Sequence, residues 1–231
     1  MPEKKQKKKV LIIDYGSNSD NEISNSAQNL KNMYNAHTDK SGIKYEFDIK
    51  TEKDLLKLKK ENKGNELNDY HIIHQSGSRI RKLGEDAAKY LMKTVHDNTY
   101  MIGTCHGAQE IAKHHKVEAK RLKEHQKGKQ GIQYQGNREG ESGHIHKNHR
   151  WGIQVNPNSN LEAIATSKQK FHEGGEGEIY EIFKVEGKNH YGIQGHGEQG
   201  VGKEIMYKIL DDINNPQQKA KKQEKKYKPT E

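Results

Sequence analysis

A single cysteine in 231 residues excludes an internal disulfide framework and any multi-cysteine zinc site. Large apolar residues are scarce too. Leu, Ile, Val and Phe together number 40, about 17% of the chain and below the roughly 20% at which disorder becomes the default. Disorder also demands a high net charge per residue. The net charge of +9 is only about 0.04 per residue, so a folded chain stays open. No apolar run approaches the ~20 residues of a membrane-spanning helix. No apolar stretch follows the N-terminal lysines as a secretory signal would require. The expectation is a cytoplasmic chain with no membrane partner.

The positive charge is unevenly placed. Met1–Lys9 holds five Lys and one Glu, and Asn215–Glu231 holds six Lys and two Glu, so each end is +4 and the stretch between them is only +1. Both ends are low in complexity and read as disordered Lys-rich tails, 1–9 and 215–231, around one near-neutral domain, 10–214. Electrostatics allow the tails weak contact with nucleic acid. Only Tyr227 interrupts them as an aromatic, which makes no base-stacking surface.

Val10–Ile13 is a short apolar run closed by Asp14-Tyr15-Gly16-Ser17 and reads as a buried parallel strand. Helical spacing follows over 21–35, strand alternation over 43–49, a short helix over 54–62 and a strand over 70–74. A helix over 84–96, a strand over 100–102 and a helix over 109–115 continue the series. This alternation predicts an α/β fold with a doubly wound, mainly parallel sheet and helices on both faces. The second half holds strand-like runs at 131–134, 151–155, 161–166, 178–185 and 191–194, then a helix over 203–213. It predicts a mixed or antiparallel extension.

Cys105 sits between a strand and a helix as Gly103-Thr104-Cys105-His106-Gly107. A lone cysteine is by default an inert buried residue. Here the two glycines mark a sharp strand-to-helix turn, because Cβ atoms would clash there, and such an elbow exposes a nucleophile. It lies at the carboxyl end of the sheet, where α/β ligand sites form. The helix behind it offers N–H groups to an oxyanion. A cysteine nucleophile needs a base, and the base needs an orienter. His196 and Glu198 follow a strand two residues apart, so a carboxylate can hold the imidazole in one tautomer. Alone, His-x-Glu is a weak signal in a His-rich chain.

Together these blocks resemble the class I (triad-type) glutamine amidotransferases. Gly103, Cys105, Gly107 and Gln109 match the family's G-x-C-x-G-x-Q, and Gly192-Ile193-Gln194 followed by His196 and Glu198 is similar to its distal strand and Q-F-H-P-E. Val10–Ser17 is similar to its opening strand and turn, and Ile72–Ser78 to its oxyanion strand and loop. The resemblance implies a flavodoxin-like fold with no cofactor and no metal. It implies that Cys105 attacks L-glutamine to give a thioester and ammonia, with His196 as base and acid and Glu198 as its orienter. It places Gly77 and His106 N–H groups at the oxyanion and Gln109 on the substrate. The ammonia then goes to a separate synthase subunit; the opening turn is slightly similar to the amidotransferase part of GMP synthetase, and an imidazole-glycerol-phosphate-synthase-type subunit is nearly as close. Gly195 and Gly197 replace the family's aromatic and proline, so a looser turn is expected.

Three alternatives stay open. Cys105-His106-Gly107 also resembles the intracellular-protease and glyoxalase-like branch, where the histidine next to cysteine participates. A γ-glutamyl hydrolase would use the same triad without a synthase. A non-catalytic relative would keep the fold alone. Other signals read as structural. His144, His146 and His149 lie in a Gly/Asn-rich stretch without clear carboxylate or cysteine partners and read as a solvated loop, not a metal site. His114-His115 reads as cations at a helix end. Gly174–Gly177 reads as a hairpin-like turn.

Overall fold

The computed structural model describes residues 7–16, 22–78 and 85–215. The expected tails fall largely outside these residues, although Lys8 and Lys9 already belong to the first strand.

The first half alternates strand and helix. β1 (Lys8–Asp14), β2 (Tyr45–Thr51), β3 (Ile72–Gln75) and β4 (Tyr100–Thr104) are interleaved with α1 (Asn25–Ser41), α2 (Glu52–Lys60), α3 (Glu85–Thr94) and α4 (His106–His114). The second half runs β5 (Ala119–Tyr134), β6 (Ser142–Gln154), β7 (Leu161–Lys170), β8 (Glu176–Val185), β9 (His190–Ile193) and α5 (Lys203–Asn214). Local chemistry fixes the boundaries. Ser24 caps α1 by accepting the Ala27 N–H at 3.2 Å, and Gly42 ends it at φ 72°. Thr51 and Asp54 form a reciprocal capping box at the start of α2.

The nine strands form one sheet in the order β2-β1-β3-β4-β9-β8-β6-β5-β7. The first five are parallel, and β9 is reached from β4 only after the whole second half has intervened. Alternate residues serve opposite faces. Leu11, Ile13, Ile73 and Met101 pack with apolar residues of α2, α3 and α4, while Val10, Ile12, Ile72 and Ile102 pack with α1 and α5. Such near-continuous apolar strands are what a sheet covered on both sides requires.

The remaining strands form the antiparallel extension expected of the second half, and its closure is what the sequence did not indicate. They are antiparallel, and β7 pairs with both β5 and β8, so β8-β6-β5-β7 closes into a barrel-like ring. The histidine-bearing stretch expected as a loop is the middle of β6, paired with β5 along most of its length. Within this half lies a buried ion pair. Lys147 Nζ meets Glu181 Oε1, and Ser167 Oγ donates to the same oxygen at 2.6 Å.

His114 and His115 also differ from expectation. His115 Nε2 lies 3.0 Å from His190 Nδ1, and burial pushes both rings down to about 4. They are neutral, so a favourable charge–dipole contact is not their role.

The buried groups set two expectations. Lys147→Met leaves the Glu181 carboxylate uncompensated and is expected to cost about 3–5 kcal/mol in denaturant unfolding, most of it recovered when Glu181→Leu is added. Burial also lowers His74 and His149 to about 3 and His71, His115 and His190 to about 4. Above their ordinary value of about 6.5 these rings are neutral in both folded and unfolded chains. Below it the unfolded chain takes up protons that the folded chain refuses. Stability is therefore present above pH about 6.5 and is lost as pH falls towards 3–4. Calorimetry from pH 6.5 to pH 4 should show a Tm that falls steeply.

Candidate active site

The site forms where β1, β3, β4 and β9 end. Cys105 directly follows β4 and adopts φ 52°, ψ −104°, a left-handed backbone that is rare for a side-chain-bearing residue. α4 begins at the next residue, earlier than the expected start at 109. The elbow closes because its glycines let backbones touch. A Cβ on Gly103 would lie 2.4 Å from the carbonyl carbon of Gly107, and one on Gly107 would lie 2.4 Å from the Gln75 carbonyl oxygen. Cys105 N–H donates to the Ile193 carbonyl at 2.8 Å, which binds the elbow to β9.

His196 and Glu198 come from the turn after β9. His196 Nδ1 lies 2.8 Å from Glu198 Oε1, and the Glu198 carboxylate is buried. This leaves Nε2 for Cys105, whose side chain helps to raise the His196 pKa. Burial alone would lower the His196 pKa. The hydrogen bonds to Cys105 and Glu198, with their negative charge, outweigh it and push the ring up to about 10. Its contribution to stability is therefore complete below pH about 6.5 and is lost as pH rises through about 10.

The turn is tight, contrary to the looser one expected from Gly195 and Gly197. A Cβ on Gly195 would lie 2.8 Å from the His146 carbonyl oxygen, and one on Gly197 would lie 2.8 Å from Met206 Cγ. His196 N–H donates to that same His146 carbonyl at 2.7 Å. The glycines thus let the turn press against β6 and α5.

Gly77 adjoins both Cys105 and His196. A Cβ placed there would be 3.4 Å from His196 Cε1 and 3.5 Å from Cys105 Cβ. Its N–H donates to Ser26 Oγ at 3.3 Å. The N–H expected for an oxyanion is therefore covered by a hydroxyl from the first turn of α1. That turn is held by Asp14, whose carboxylate accepts from Gly16 N, Ser24 N and Ser24 Oγ at 2.6–2.9 Å. No sequence motif marked Ser26.

His106 is buried. Its ring packs edge-on to Tyr15 at 5.5 Å, and Nε2 lies 3.9 Å from Glu110. Gln109 gives its amide N–H groups to the Trp151 carbonyl at 3.4 Å and to Gln194 Oε1 at 3.5 Å. It ties α4 to β6 and to the end of β9. His146, from the stretch read as a loop, has its ring 6.5 Å from that of His196. Among the described residues no group of three or more His, Cys, Asp or Glu could hold a metal ion. No helix among them is long and apolar enough to cross a membrane.

The glycine contacts generate a prediction. Gly103→Ala drives a methyl into backbone that cannot swing away, so unfolding free energy should fall by about 1–3 kcal/mol or more. Gly131→Ala, with open space around the new Cβ, should cost less than about 1 kcal/mol. Comparing the two Tm values checks the contrast.

No family model matches the chain, and no curated protein matches it. Solved structures do. A protein of Thermoplasma acidophilum, described as a candidate subunit of GMP synthase, is 17% identical at a TM-score of 0.65, with 93% of this chain and 98% of that one covered. The glutaminase domain of Trypanosoma brucei CTPS, solved with bound acivicin, is 9% identical at a TM-score of 0.66, covering 90% and 94%. A glutamine amidotransferase from Thermotoga maritima is 12% identical at 0.53, covering 92% and 85%. The chain has the fold of the class I glutamine amidotransferases.

Proposed function

We propose that the chain is a glutaminase that releases ammonia from L-glutamine for a separate synthase subunit. The observation that carries this reading is the line Cys105–His196–Glu198, set on a left-handed elbow at the carboxyl end of the sheet. Cys105 Sγ attacks the side-chain amide carbon while its proton resides on His196 Nε2. The tetrahedral oxyanion takes the Gly77 N–H, displacing Ser26 Oγ, and the His106 N–H at the start of α4. Collapse breaks the C–N bond, and the His196 proton leaves with the nitrogen as ammonia. Water, deprotonated by His196, then hydrolyses the γ-glutamyl thioester to glutamate and restores the thiol. Glu198 keeps Nδ1 protonated throughout.

The likeness to a candidate GMP synthase component and to a CTPS glutaminase domain supports an ammonia-accepting partner. A GMP-synthetase-type partner is the first acceptor to try. The position of His106 against Tyr15 and Glu110 favours His196 over His106 as the base.

The purified chain is expected to convert glutamine to glutamate and ammonium. Cys105→Ala should reduce this to background. His196→Ala should lower kcat roughly 10²-fold or more, and His106→Ala much less. Glutaminase activity that survives Cys105→Ala overturns the mechanism. Loss on His106→Ala with retention on His196→Ala would assign the site to the protease-like branch instead.

A further inference from the structure

The domain looks neutral only as a sum. The two-stranded ribbon β5–β6, residues 119–154, carries eight Lys and Arg against three Glu, a net +5. One of the eight, Lys147, is spent inside on Glu181. The others include Lys127 and Lys129 on β5 and Arg150 on β6, all exposed.

These cations share a face. Ile145, Lys147 and His149 of β6 point inward, so His144, His146, Asn148 and Arg150 belong to the outer side. Lys129 stands directly opposite His146 and Lys127 opposite Asn148, so both lysines are on that side too. No acid stands opposite either lysine across the ribbon. The contrast with β7 is direct: there Lys168 stands opposite Glu178 and Lys170 opposite Glu176. Lys127, Lys129 and Arg150 take part in no ion pair among the described residues.

The face also adjoins the site. His146, beside Lys129, has its ring 6.5 Å from the His196 ring, and its carbonyl holds the His196 N–H. A charged surface that runs up to the reactive pair is placed for whatever receives the product. Stacking partners for bases are missing from it. Tyr134 is buried and already covered by the Arg138 guanidinium at 3.6 Å, and Trp151 is half-buried.

We infer that the outer face of the β5–β6 ribbon, centred on Lys127, Lys129 and Arg150, docks an acidic surface of the ammonia-accepting synthase over the Cys105–His196 site. This rests on the glutaminase reading above. Complementary charge of this kind steers encounter and fixes register, and it weakens with salt.

The test uses the full chain and the amidating synthetases of the source organism, each purified singly. Product formation is measured with glutamine and with ammonium chloride, and binding by sedimentation at 50 and 300 mM NaCl. The variant Lys127→Glu/Lys129→Glu/Arg150→Glu is compared with Lys57→Glu/Lys59→Glu/Lys60→Glu on α2, which makes the same change of charge elsewhere. The expected result is that wild type couples to one synthetase and binds it more weakly at high salt. The ribbon variant loses at least 10-fold in glutamine-dependent synthesis and in affinity. It keeps ammonium-dependent synthesis and its own glutaminase rate, and the α2 variant couples normally. Normal coupling by the ribbon variant overturns the inference, as does equal loss in both variants. Failure of every synthetase to couple to an active wild-type glutaminase overturns it while leaving the glutaminase reading intact. Ribbon-dependent binding of a DNA or RNA oligonucleotide in place of a synthetase also overturns it. No glutamine hydrolysis by wild type defeats the underlying reading instead.

Discussion

The contact of Gly107 with the Gln75 carbonyl and with Gly103 sets the geometry on which the rest of the site depends. It brings α4 against the ends of β3 and β4 with no side chain between them. Cys105 can then occupy a left-handed conformation that a free chain would abandon. The N–H of Cys105 is spent on Ile193, so the same contact fixes the distance from the elbow to β9. The turn that carries His196 and Glu198 starts one residue beyond that anchor. Cys105 and His196, 91 residues apart in sequence, are thus referred to one backbone crossing.

The parts that were legible in the sequence are those whose signal is local. A Gly–x–Cys–x–Gly between an apolar strand and a helix states its own steric reason. His196 and Glu198 at a two-residue spacing needed only a turn that holds them together, and the hydrogen bond is there. The parallel strands were legible because burial on both faces forces runs such as Val10–Ile13. Of the β5–β6 ribbon only the ends, 131–134 and 151–155, were legible. Its inward residues include Lys147 and His149, so the apolar alternation that marks a strand is broken. Glu181, the partner that makes Lys147 tolerable inside, lies thirty-four residues away. Ser26 was invisible for another reason. Its place beside Gly77 is set by Asp14 through the cap at Ser24, and no short motif encodes that chain of bonds.

Glycine was misjudged in the turn itself. Gly195 and Gly197 read as freedom when seen beside an aromatic and a proline. In the fold they are points of close approach, to the His146 carbonyl and to Met206. The turn is held from outside, by β6 and α5, instead of by its own side chains. His196 is consequently held by β6 of the antiparallel half, while Cys105 belongs to the parallel half. The bond from His196 N–H to the His146 carbonyl joins the two halves at the point where the chemistry is proposed.

The ribbon has one more property. The far edge of β5 meets β7 only at Gln133 and Tyr134, apart from a bridge at Leu122. Most of a sixteen-residue strand therefore shows unpaired backbone to its surroundings, which is a template for pairing with another copy of itself. Lysines at 123, 127 and 129 stand along that edge. Two such edges brought together would align like charges, so the feature that would invite stacking also discourages it. The same strand is self-avoiding towards its own kind and receptive to a surface of opposite sign.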